Sequence, residues 1–241
     1  QDAALGAAAT CGRAARRGGG EATGGAWGPA QQRTVINGNV TAPPVAILST
    51  TSTNTLSCLT LCGATASETA GIEVRANRCG VIVESCTISN NFDGVKINAI
   101  AAAVTVRNSL IVRNSSHGVY ADSKNNGRMP WPGGGTLSMQ NCTIADNGGH
   151  GYHCYLVPGD GATAPKPYVT NCLFTCNGGY GIFLPGVGSN GRVGYSLFTG
   201  NALGPWYGYF RPFTDDGHNK VEEDPRYVDA ANNDYRLQSS S

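Results

Sequence analysis

The densest group of reactive side chains lies between Asn141 and Tyr155, in "NCTIADNGGHGYHCY". His150, His153 and Cys154 sit within five residues there, a spacing that a metal site or a hydrolase signature would use. A second group is spread along the chain. Lys96, Tyr120 and His153 are residue types that can abstract a proton next to a carboxylate, as a polysaccharide lyase does. A third group is aromatic: Tyr120, His153 and Phe183, with Trp131 and Trp206, offers a surface for sugar or protein contact. Each group acts only if the backbone brings its members to one face.

The backbone is repetitive. "SCLTLCGATASETAGIEV", "SCTISNNFDGVKI", "NSLIVRNSSHGVYA", "NCTIADNGGHGYHC", "NCLFTCNGGYGIFL" and "YSLFTGNALGPWYGYF" align under one another. Their second residue is a small anchor: Cys58, Cys86, Ser109, Cys142, Cys172 and Ser196. An apolar residue or threonine follows two positions later, from Thr60 to Phe198. Five residues after the anchor an asparagine recurs, as Asn91, Asn114, Asn147, Asn177 and Asn201. A glycine then opens a second short strand at Gly71, Gly94, Gly118, Gly151 and Gly181. Variable Gly/Pro-rich insertions after Ala121, Leu156 and Leu184 interrupt a core period of about 23 residues, the pattern of a solenoid whose loops leave at one corner.

Stacking explains the letters. Equivalent residues lie roughly 4.8 Å apart on successive coils, so asparagines can hydrogen-bond along a ladder and small anchors can fill a tight interior column. Glycine is expected to supply positive φ at the bend. In the second strand two columns are predicted to point inward, Ile72 to Ile182 and Val74 to Leu184. Between them Glu73, Lys96, Tyr120, His153 and Phe183 point out. On this reading Cys142 and Cys154 are interior residues, and His153 and Cys154 face opposite ways, which argues against a shared metal. The outward column is either a catalytic or binding face, or a solvated strand face in which Glu73 pairs with Lys96.

Composition sets the outer limits. Of 241 residues, 17 are Lys or Arg and 16 Asp or Glu, giving a net charge of +1, so no electrostatic grip on nucleic acid is expected. No run of 18 apolar residues is present, so no membrane span is expected. The start at Gln1 fits a secreted chain whose signal has been removed. Nine cysteines favour an oxidising compartment, and their odd number leaves at least one unpaired within the chain. Cys58 with Cys86 and Cys142 with Cys172 are candidate pairs on adjacent rungs; small buried thiols are the alternative. No cofactor motif is found.

"SCTISNNFDGVKI" and "NCTIADNGGHGY" resemble the repeats of right-handed parallel β-helix proteins, the pectate-lyase-like superfamily of secreted bacterial type. "RTVINGNV" looks like that family's first coil, and "GHNKVEEDPRYVDAANNDYRLQSSS" is similar to its closing segment. The resemblance implies an all-β, right-handed parallel β-helix of about seven coils with loop insertions. It also names the machinery to seek. Hydrolases of that superfamily use paired aspartates; here Gly149-His150-Gly151 matches one of their motifs by letters only, and Asp215-Asp216 lies beyond the regular coils. Its lyases use a base and often calcium, and no acidic cluster supplies the latter.

Three regions follow: a Gly/Ala-rich extension at 1–32, the β-helix at 33–213 and a capping segment at 214–241. The extension stands outside the repeat and carries Cys11, Arg13, Arg16 and Arg17. It is expected to cap an open end or to dock on a neighbouring molecule, with Cys11 as its anchor. The expected function is a non-catalytic extracellular or cell-surface structural or adhesive β-helix that self-associates, as a filament or oligomer. The alternatives are a polysaccharide lyase using Lys96, Tyr120 and His153, and a carbohydrate-binding solenoid using the aromatic stripe.

Overall fold

Strands such as Gly80–Glu84 (GVIVE) and Ala103–Arg107 (AVTVR) alternate buried and half-exposed residues, and only a few residues separate one strand from the next. Segments this short bury a face only by stacking on the next turn of the chain. A computed structural model describes residues 34–48, 53–99, 101–122, 135–155, 166–185, 191–208 and 213–239. The extension at 1–32, with Cys11, Arg13, Arg16 and Arg17, lies outside the described residues, as does Trp131.

The described chain is a parallel β-helix with three sheets. The first sheet holds Thr34–Asn37, Leu59–Cys62, Thr87–Ser89, Leu110–Val112, Thr143–Ala145, Leu173–Thr175, Leu197–Thr199 and Lys220–Val221. The second holds Val45–Ile47, Ala70–Val74, Asp93–Ile97, Val119–Asp122, Tyr152–Tyr155, Tyr180–Leu184 and Gly204–Gly208. The third holds Thr53–Ser57, Gly80–Glu84, Ala103–Arg107, Thr136–Gln140, Lys166–Thr170, Gly191–Gly194 and Phe213–Gly217. The chain visits them in that order seven times, and Lys220–Val221 begins an eighth turn. Every internal break in the described residues falls between a strand of the second sheet and the next strand of the third, so the insertions share one corner. Among the described residues no helix is long and apolar enough to cross a membrane.

The core is a set of columns. Leu61, Ile88, Ile111, Ile144, Phe174 and Phe198 stack in the first sheet, and Ile72, Val95, Val119, Tyr152 and Ile182 in the second, all fully buried. Buried polar groups are matched rung to rung. The amide of Asn91 donates to Asn114 (3.2 Å), Asn114 to Asn147 (2.9 Å), Asn147 to Asn177 (2.9 Å) and Asn177 to Asn201 (2.8 Å). Each of these acceptor oxygens also takes the backbone N–H of the preceding asparagine, so the ladder satisfies a buried corner.

The small anchors do parallel work at the other corner. Ser109 and Ser196 accept from the backbone N–H of Cys86 and Cys172, both at 3.1 Å. Cys86, Ser109, Cys142, Cys172 and Ser196 each direct the side-chain hydrogen to the carbonyl two residues back. Serine and cysteine interchange because the corner needs a compact group that both donates and accepts.

Two expectations from the repeat alignment need correction. Cys58 is not in this interior column: the pairing of Thr60 with Thr87 and Leu61 with Ile88 places Cys58 opposite Ser85, on an exposed turn, and makes Leu59 the equivalent of Cys86. "SCLTLC" fits the template in two registers, and a one-residue slip exchanges the inside and outside of a strand. The glycine column, in turn, is selected by space and not by φ. A Cβ on Gly94, Gly118, Gly151 or Gly181 would lie 2.4–2.6 Å from the next rung's carbonyl oxygen, and none of the four has positive φ. The left-handed turns fall instead on non-glycine residues such as Ser85, Asn108, Asn141, Asn171, Tyr195 and His218.

No disulfide joins the eight described cysteines. Cys79, Cys86, Cys142, Cys154 and Cys172 are buried, and Cys58 is exposed. The segment after the last coil turns back along the flank. Tyr227–Asp229 and Asp234–Leu237 form an antiparallel hairpin against the outer face of the first sheet. Tyr235 packs on Val112 and Ala145. Its hydroxyl donates to Asp146 and accepts from Arg113, whose guanidinium also reaches the carbonyls of Ala230 (2.8 Å) and Ala231 (3.0 Å). Tyr227 and Thr175 share a hydrogen bond of 2.9 Å.

Candidate functional site

The outer face of the second sheet collects most of the candidate residues. Parallel register places Glu73, Lys96, Tyr120, His153, Phe183 and Tyr207 in one column on successive strands. The residue before each ladder glycine forms a second column beside it, with Asp93, His117, His150 and Tyr180. The two columns converge because the intervening glycine turns inward against the asparagine ladder.

Within this face the histidines join. Their ring centroids lie 4.6–5.2 Å apart. His117 Nδ1 accepts from the N–H of His150 (2.9 Å), and His150 Nδ1 accepts from the N–H of Tyr180 (2.8 Å). The His117 proton therefore sits on Nε2, facing Nδ1 of His153 at 3.1 Å. His153 then carries its own proton on Nε2, a buried atom with no partner among the described residues.

Burial keeps the three rings neutral. It lowers His117 and His150 to about 4 and His153 to about 3, with mutual repulsion adding to the effect for His117 and His153. Asp93 accepts from the N–H of His117 (3.0 Å), and burial pushes its carboxyl up.

Lys96, Tyr120 and His153 do come together on adjacent strands. Lys96 Nζ is held by the carbonyl of Glu68 (2.9 Å) and lies 5.8 Å from the centre of the Tyr120 ring. Glu73 does not pair with Lys96: its buried carboxylate binds Arg75 at 2.8 Å, within its own coil. His153 is half-buried on the outer face, while Cys154 is buried on the inner one.

The aromatic stripe is a stack. His117 and His150 are inclined by 2°, His150 and Phe183 by 12°, Tyr180 and Phe183 by 5°, and Phe183 and Tyr207 by 26°. Ring faces cover one another along the helix axis, so mostly edges meet solvent. Sugar stacking needs a free face, and among the described residues the stack offers one at its end, on Tyr207, which is 42% exposed. Trp206 belongs to the inward column opposite Ile182 and packs edge-on against Phe198, closing the last coil of the core.

His117, Asp93 and Tyr180 are members of this face that the repeat reading passed over. Their signal was present: they occupy one fixed position, immediately before the ladder glycine or one residue earlier than the outward column would suggest. The two ends of the solenoid form a different kind of surface. Among the described residues no strand pairs with the outer edges of Gly204–Gly208, Phe213–Gly217 or Lys220–Val221, or with those of the first coil. No family model, no curated protein and no solved structure matches this chain.

Proposed function

We propose that this protein is a non-catalytic β-helix of the extracellular space or cell surface that joins end to end into filaments. The observation that carries this reading is Val221. Its column mates from Leu61 to Phe198 are fully buried, yet Val221 is 42% exposed, because among the described residues no further coil covers it. An apolar residue at an interior position of an unpaired edge is a template for an added strand. Of the ten exposed large apolar side chains among the described residues, six belong to the terminal coils: Val35, Val40 and Leu48 at one end, Leu203, Tyr207 and Val221 at the other. Joining the last coil of one copy to the first coil of another is a heterologous contact, and such contacts repeat into open filaments.

The outer face of the second sheet supports the non-catalytic half of the reading. Nδ1 of each histidine is already engaged, and Lys96 is tied to a backbone carbonyl. The resemblance to secreted, pectate-lyase-like β-helices supports the extracellular setting. A polysaccharide ligand is the second reading, favoured by the exposed ring of Tyr207 at the end of the aromatic stack.

Sedimentation and electron microscopy of the full chain test the proposal. The wild type should form rods that lengthen with concentration in steps of roughly 34 Å, seven coils of about 4.8 Å. Val221→Lys should remain monomeric with an unchanged melting temperature. A wild type that stays monomeric at high concentration would sink the filament.

A further inference from the structure

A groove of about 640 Å³ opens beside the last coil, between the first sheet and the returning hairpin. Leu173, Leu197 and Leu237 form its floor. Tyr195 and His218, stacked at 4.7 Å, form one wall, and Lys220, Glu223, Asp224 and Arg226 line it as well. Tyr195 and Leu237 are 59% and 54% exposed, which is unusual for an aromatic and a leucine beside a formed core.

We infer that this groove receives the basic segment, residues 1–33, of a second copy of the chain. This inference rests on the end-to-end reading above and specifies its contact. Two observations lead to it. The first is position. If a neighbour's Thr34–Asn37 strand continues the first sheet after Lys220–Val221, the neighbour's chain enters beside this groove. Thr34 is the register equivalent of Leu59, so it belongs to the column that ends with Ser196 and Asn219, next to Tyr195 and His218.

The second observation is charge. Residues 214–241 carry seven acidic and three basic side chains, while residues 1–33 carry four arginines against two acids. Of the two cations lining the groove, Lys220 is already paired with Glu223 at 2.6 Å, and Arg226 is the other. Among the described residues Asp224 accepts through one oxygen, from the N–H of Arg226 at 2.8 Å. Arg13, Arg16 and Arg17 lie within five residues of one another, without an acid between them. An Arg-rich, Ala/Gly-rich segment of this kind suits an apolar groove in a closing segment whose acids outnumber its cations.

A charge swap in the full-length protein tests the contact. Arg13→Glu, Arg16→Glu and Arg17→Glu together, or Glu223→Arg with Asp224→Arg, should each weaken self-association at least tenfold in sedimentation velocity. Mixing the two variants should restore mixed assemblies, and added salt should weaken the wild type. If the triple arginine variant assembles as the wild type does, the arm does not occupy the groove, while the filament stands. Failure of the mixture to assemble when each variant alone is monomeric also counts against this contact. A wild type that never assembles overturns both readings.

Discussion

At the scale of single residues, the polar ladders are the features most sensitive to change. Asn147 is 1% exposed and makes four side-chain contacts. It accepts from the N–H and the amide of Asn114 and donates to Asn177 Oδ1 and to the carbonyl of Ile111. Alanine would leave donors and acceptors unsatisfied on both neighbouring rungs, in a corner too tight for easy rearrangement. Asn147→Ala should therefore cost about 2–4 kcal/mol in urea unfolding at pH 7, at the upper end for a buried polar group. A loss below about 1 kcal/mol would mean that water replaces the ladder at this rung. The asparagine column is legible in the sequence because only one residue type fits its geometry. The anchor column is less so, since cysteine, serine and leucine all occur near it and "SCLTLC" satisfies two registers. The αL turns were legible by type only in part: Asn108, Asn141 and Asn171 tolerate that conformation, whereas at Ser85, Tyr195 and His218 it is imposed by the sheets on either side.

At the scale of the sheet, the histidine face couples stability to pH. His117, His150 and His153 titrate at about 4, 4 and 3 in the folded chain, below the ordinary histidine value. A group whose pKa is depressed by folding binds protons in the unfolded state first. Its contribution is intact above about pH 7 and is lost as pH falls from roughly 6.5 towards the folded values. Asp93 faces the same cluster with its carboxyl pushed up by burial, so it opposes part of this trend at the acid end. Urea midpoints should show a loss of about 2–4 kcal/mol between pH 7 and 5, after discounting for the partial exposure of the rings. His153→Phe, which extends the ring type already present at Phe183, should reduce that loss by roughly a third while keeping the stack. An unchanged pH dependence would show that the rings titrate freely. Outward pointing at 120, 153 and 183 could be read from alternation alone. That His117 and His150 join them could not, because it depends on a glycine packed inward between two outward residues.

At the scale of the whole molecule, a solenoid is held by contacts between neighbouring coils, so its stability is distributed along one axis. The first two sheets and the order of coils were legible because a repeat of about 23 residues leaves few other ways to bury alternate side chains; the third sheet, which follows the variable insertions, was not. What lies at the ends was not, since a repeat carries no information about its own termination. An interior coil has two neighbours, whereas the strands Gly204–Gly208, Phe213–Gly217 and Lys220–Val221 have one among the described residues. Amide exchange in a dilute sample should therefore be slowest from Thr87 to Thr175 and progressively faster towards either end. Raising the protein concentration should then slow exchange in two places at once, the last coil and the Thr34–Asn37 and Val45–Ile47 strands, with little change between them. Paired protection is the signature of a joint between unlike ends, because each end gains the hydrogen bonds the other lacks. Protection confined to one end would indicate a contact between two like ends, which closes as a dimer and cannot propagate. Protection on the outer face of the second sheet, without change at the ends, would move the association to the ring edges of Tyr180, Phe183 and Tyr207.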